Sequence, residues 1–175
     1  MLKRLSIVGA VVALLALMVV SPAAAKQGGT DRPFNADLGG EVVFEFGEAG
    51  AEPCGPFQPG WPYSVITHTE ATGDATHLGN AQASFWHCPT DIGHDNGHLT
   101  LTAANGDHMY FEYVDDGTMG DAFDMHVVGG TGRFMGATGL VTLYYWLDPA
   151  LGPDGEPDFF SPWGWWASIE GVISY

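Results

Sequence analysis

Glu112, Asp124 and His126 are the residues of this chain whose types and spacing come closest to an acid/base centre. They lie on two strand-like runs, Asp107–Tyr113 and Ala122–Val128, joined by the acidic connection Asp115–Asp121. If that hairpin centres near Thr118, Glu112 lies opposite Asp124 and Tyr110 opposite His126. Two carboxylates directly across a sheet destabilise it unless water, a cation or protonation intervenes, and His126 on the diagonal relieves the charge. Turned into a protein interior, such a trio has the makings of general acid/base catalysis. The same alternation permits the opposite arrangement, with Phe111, Tyr113, Phe123 and Met125 inward and the charged groups in water. The cost of burying charge favours that second arrangement.

The other chemistry-bearing residues are scattered. His94-Asp95-Asn96-Gly97-His98 follows Asp91, but it lacks the oxygen spacing of a calcium loop and the helix of a zinc-protease motif, so it reads as a solvated turn. Asp148, Asp154, Glu156 and Asp158 in a proline-containing stretch match no recognised ligand set. Neither a metal nor a cofactor is expected. Six tryptophans include the cluster Trp163-Gly164-Trp165-Trp166. Strand alternation sends Trp165 and Trp166 to opposite faces, which makes them the candidates for ligand contact.

The compartment follows from the N-terminus. Lys3 and Arg4 precede an apolar run, Leu5–Val20, and then Ser21-Pro22-Ala23-Ala24-Ala25. A charged start, an apolar stretch and small residues before the cut site make a secretory signal peptide, with cleavage expected after Ala25. The run is shorter than the roughly 20 residues of a spanning helix, so no membrane association is expected after cleavage. The remaining chain keeps only Lys26, Arg32 and Arg133 against 21 acidic residues. That charge repels nucleic acid and anionic lipid and favours solubility. Two cysteines, Cys54 and Cys88, in an exported chain suggest a disulfide. Closing a loop of about 35 residues would stabilise by roughly 3 to 4 kcal/mol in the chain-entropy model.

The elements that must position these residues are strands. Residues 26–39 are polar and glycine-containing and read as a flexible arm, with the folded domain spanning 40–175. Glu41–Phe46 alternates, and Tyr63–Thr69 has strand composition. A third run, Ala75–His87, is interrupted at Gly79-Asn80, where a bulge or bend is expected. Gly97–Thr102 and Asp107–Tyr113 flank Asn105-Gly106, a strong hairpin signal. Ala122–Val128, Leu140–Leu147 and Trp165–Ser174 complete eight strands with no helical period between them. An antiparallel barrel, which removes its own edges, is the expected architecture, and a two-sheet sandwich is its rival.

Between the sixth and seventh strands lies Val127-Val128-Gly129-Gly130-Thr131-Gly132-Arg133-Phe134-Met135-Gly136-Ala137-Thr138-Gly139. A dinucleotide loop would lead into a helix, whereas here a strand follows, so the segment is a sheet corner. This corner resembles the signature of the allene oxide cyclase and dirigent barrels, and more closely that of their bacterial secreted relatives. Ala75-Thr76-His77-Leu78-Gly79 and Leu101-Thr102-Ala103-Ala104-Asn105-Gly106-Asp107 resemble segments of the same proteins, and together the matches run from Gly40 to Leu147. The resemblance implies an eight-stranded barrel and a homo-oligomer. Allene oxide cyclase isomerises a fatty-acid epoxide and dirigent proteins steer phenol coupling, but the matching positions, Gly129, Gly130, Gly132, Arg133, Phe134, Gly136 and Gly139, hold a fold and carry over no active site. The expected function is therefore a secreted barrel holding a small apolar or aromatic ligand. The alternatives are an isomerase or dirigent-like guide of a reactive intermediate, and an extracellular structural protein dependent on calcium.

Overall fold

The computed structural model describes residues 29–47, 64–88, 96–114 and 122–175. Eight antiparallel strands follow in chain order: β1 (Asp31–Gly47), β2 (Ser64–Ala75), β3 (Gly79–Cys88), β4 (Asn96–Thr102), β5 (His108–Val114), β6 (Ala122–Gly130), β7 (Thr138–Asp148) and β8 (Trp163–Ser174). Each pairs with its sequence neighbour, and β8 pairs with β1, so the sheet is a closed barrel rather than a sandwich. A short 3₁₀ turn, Gly132–Phe134, sits in the glycine corner before β7.

The inward face is set by alternation along every strand. Phe34, Ala36, Leu38 and Val42 of β1 are buried, as are Ala81, Ala83 and Phe85 of β3 and Met109, Phe111 and Tyr113 of β5. Phe123, Met125 and Val127 of β6, Val141 and Leu143 of β7, and Trp163, Trp165, Ala167, Ile169 and Ile173 of β8 complete the core. Thr69 is the sole polar side chain among the described residues that is as deeply buried.

Two expectations require correction. The stretch expected to be a flexible arm, 26–39, is from Asp31 onward the first half of β1, paired with β8 from Asp31 opposite Ser174 to Val42 opposite Trp163. Its inward positions, Phe34, Ala36 and Leu38, supply the apolar period, and the polar residues between them are the outward half of the same alternation. The run Ala75–His87 is likewise two strands. Thr76–Leu78 form a tight turn and Gly79, with φ of 73°, opens β3 opposite Ala75.

The barrel has two unlike ends. At one, the β2–β3, β4–β5 and β6–β7 connections are short, and Phe134, Leu78 and Phe34 fill the interior. Arg133 lies over the Phe134 ring at 4.8 Å and its Nε is 3.7 Å from Asp107, which ties the glycine corner to the Asn105-Gly106 turn. The strand ends at the other end are joined in sequence by the longer connections, of which 149–162 is described.

Pairing of β1 with β2 also brings like charges together on the outer surface. Asp37 faces Asp74 and Glu41 faces Glu70 across β1 and β2. Among the described residues Glu70 has a partner in His68 Nε2, at 2.7 Å, whereas no ion pair joins Asp37 or Asp74. Opposed like charges cost a sheet roughly 0.2–1 kcal/mol. Asp74→Asn should therefore raise the thermal midpoint at low ionic strength, with a gain that shrinks as salt is added; calorimetry at two salt concentrations measures it.

Candidate functional site

The open end of the barrel holds a cavity of about 190 Å³ lined by Val42, Phe44, Thr67, Thr69, Phe85, His87, Phe123, Tyr145, Leu147 and Trp165. Among the described residues no side chain fills this end as Phe134 fills the other. Every lining residue sits at an inward position of β1, β2, β3, β6, β7 or β8.

Aromatic rings form most of the wall. Phe123 stacks on Tyr145 with centroids 5.2 Å apart and planes 6° from parallel, and Phe85 lies 6.4 Å from Trp165. Phe44 meets Trp163 edge to face at 4.6 Å, and Phe159 from the β7–β8 connection packs on both. Such offset and edge contacts suit the ring quadrupoles and fix the rings in place.

The polar groups are few. His87 and Tyr113 hydrogen-bond through the His87 Nδ1 atom and the tyrosine hydroxyl, and the two rings lie 14° from parallel. This bond orients the imidazole on the cavity wall, where it can accept or donate a proton. Thr67 Oγ1 donates to the His87 carbonyl at 3.5 Å, and Thr69 lies deeper, 2% exposed. Gly97 on β4 makes room for this arrangement, because a Cβ there would run into the rings of Tyr113 and Phe85.

A folded connection shapes one side of the mouth. Asp158 accepts hydrogen bonds from Ser161 Oγ at 2.7 Å and from the Phe160 N–H at 3.0 Å. Those bonds, the serine's foremost, hold its carboxyl below the ordinary value of 3.8. The indole N–H of Trp163 donates to the Asp158 carbonyl at 2.8 Å, so the same turn positions Trp163 and Phe159 against Phe44.

The residues expected to do acid/base chemistry lie elsewhere. Glu112, Asp124 and His126 are all on the outer face and exposed. The expected pairing is also displaced, by two residues at Glu112, which lies opposite His126 rather than Asp124, and by three at Tyr110, which lies opposite Gly129 rather than His126. The hairpin is centred one residue later than Thr118, and a bulge between Tyr110 and Phe111 shifts the register again. A shift by two preserves which face each residue takes, so Phe111, Tyr113, Phe123 and Met125 point inward as the apolar alternative required. Asp124 accepts a hydrogen bond from Thr142 Oγ1 at 2.7 Å, and His98 Nδ1 lies 3.5 Å from Glu112.

Of the two tryptophan candidates, Trp165 is buried and lines the cavity, while Trp166 is 48% exposed on the outside. Trp166 lies over Gly39 and Gly164, positions with no side chain to compete for that surface. Cys88 is buried at the end of β3, and Cys54 lies outside the described residues, as do His94 and Asp95. Among the described residues no three His, Cys, Asp or Glu side chains converge as a metal site.

No family model and no curated protein matches the chain. Solved structures do. The barrel superposes on that of the pterocarpan synthase dirigent protein PsPTS1 with a TM-score of 0.50 and 14% identity, over 83% of this chain and 96% of that one. The chain has the dirigent barrel fold. A second pterocarpan synthase dirigent protein, GePTS1, gives a TM-score of 0.49 and 14% identity over 85% and 88% of the two chains.

Two measurements probe this site. Gly97→Ala should cost roughly 1–3 kcal/mol by overpacking, read from denaturant unfolding, and should displace Tyr113 from His87. The Asp158 contribution is present above 3.8 and is lost as pH falls through its lowered folded value. Acid should thus loosen the Trp163 turn, seen as a change in tryptophan emission at low pH that Asp158→Ala produces already at neutral pH.

Proposed function

We propose that this protein binds a small apolar or aromatic molecule in the open end of its barrel. The observation that carries the reading is the one-ended cavity walled by Phe44, Phe85, Phe123, Tyr145 and Trp165. An engineered apolar cavity of about 150 Å³ accepts benzene, so about 190 Å³ suits one ring or two fused rings. Eight-stranded barrels have room for one such ligand when side chains do not fill them. Residues 1–25 support export, and we place the binding role outside the cytoplasm. The Cys54–Cys88 pair fits that setting and would tie the 48–63 connection to the end of β3 beside the cavity.

A second reading, a guide for a reactive intermediate, draws support from two observations. The fold is that of proteins described as pterocarpan synthase dirigent proteins. In addition, His87, held by Tyr113, gives the cavity wall a proton donor or acceptor next to the rings that would orient a bound molecule. In this reading His87 is the acid/base group and the aromatic walls exclude water.

Calorimetric titration with indole should show saturable single-site binding. Leu147→Trp, which narrows the mouth at a half-exposed lining position, should weaken it at least tenfold without lowering the thermal midpoint by more than a few degrees. Indole binding that ignores this substitution would remove the cavity from consideration.

A further inference from the structure

Thr69 is the feature of the cavity that an apolar container does not need. It is 2% exposed and its side chain lines the cavity floor. Among the described residues its hydroxyl makes no hydrogen bond. A buried hydroxyl left without a partner is destabilising, and valine, which has nearly the same shape, would avoid that cost.

Resting on the reading of the cavity as a ligand site, we infer that Thr69 is its specificity-determining residue and that the ligand is a neutral aromatic molecule carrying a hydrogen-bond acceptor, an aryl ketone, aldehyde or lactone. Three observations lead to that class. The hydroxyl hydrogen of Thr69 requires an acceptor, and a carbonyl oxygen is satisfied by a single donor, so the two groups complete each other. Thr67, two residues along the same inward face of β2, has its hydrogen directed to the His87 carbonyl and offers no second donor. Among the described residues no Lys or Arg lines the cavity, so a carboxylate or phosphate would enter a low-dielectric site without a counter-charge. The described arginines are both engaged at the other end of the barrel, Arg32 over Tyr175 and Arg133 beside Asp107. Beside that polar contact, the stacked rings of Phe123 and Tyr145 offer a flat face to a planar ligand.

The test compares three probes of similar size, coumarin, naphthalene and 2-naphthoate, on the wild-type chain and on Thr69→Val, with binding followed by quenching of tryptophan emission. Coumarin should bind the wild type better than naphthalene, and 2-naphthoate should bind worst. Thr69→Val should weaken coumarin by roughly five- to tenfold, the size of one net hydrogen bond, and leave naphthalene unchanged or slightly tighter. Thr69→Ser, which keeps the hydroxyl, should restore the preference for coumarin. If coumarin and naphthalene bind alike and Thr69→Val changes neither, the assignment to Thr69 is overturned while the cavity stands. If 2-naphthoate binds best, the neutral class is wrong. If none of the three binds, the cavity reading falls together with this one.

Discussion

Pairing of β1 with β8 is the constraint on which the rest of the structure depends. Along Ala36–Val42 the first strand is hydrogen-bonded on both sides, to β2 and to β8, and this doubly paired segment turns an eight-stranded sheet into a barrel. Gly40 lies within it at an inward position, where a Cβ would collide with the backbone of Glu70 and Ala71. Close approach of β1 and β2 at that point is the local condition for closure. Once the sheet is closed, every strand has one face inside and one outside, and the direction of each side chain is decided by parity alone.

Parity also explains why the acid/base potential of the chain divides as it does. Outward positions collect Glu112, Asp124, His126, His98 and His68, none of which lines the cavity. Inward positions are apolar except near the open rim, where Thr67, Thr69 and His87 enter. Among the described residues Phe134 fills one end of the barrel, and the few interior polar groups lie toward the other. The Asp158 turn belongs to the same arrangement, since its hydrogen bonds hold Phe159 and Trp163 against the wall residue Phe44.

Much of the fold was legible in the chain. The number of strands, the Asn105-Gly106 hairpin and the sheet corner at Gly129–Gly139 follow from periodicity and turn chemistry, which are local properties. The first half of β1 was harder to read. Asp31, Asn35 and Asp37 look like loop residues until Phe34, Ala36 and Leu38 are seen as the inward half of a strand, and a partner strand at the far end of the sequence, β8, supplies the pairing. The β5–β6 register was misplaced for a related reason, because neither the hairpin centre nor the bulge at Tyr110 leaves a compositional mark. His87 and Thr69 were absent from the expected site because each is one polar residue in a strand of ordinary composition. A signal existed for His87: it shares parity with Ala81, Ala83 and Phe85, so a histidine falls where the strand is otherwise apolar. Nothing comparable marks Gly97, whose role depends on the ring of Tyr113 from the neighbouring strand.

The start of β1 and the end of β8 meet at the sealed end, with Asp31 opposite Ser174. Whatever is attached beyond either strand therefore leaves the molecule on the side away from the cavity. A tether, a neighbouring module or a solid support joined at those points would hold the barrel upright with its mouth facing the medium. The end that bears the cavity would then point away from the attachment.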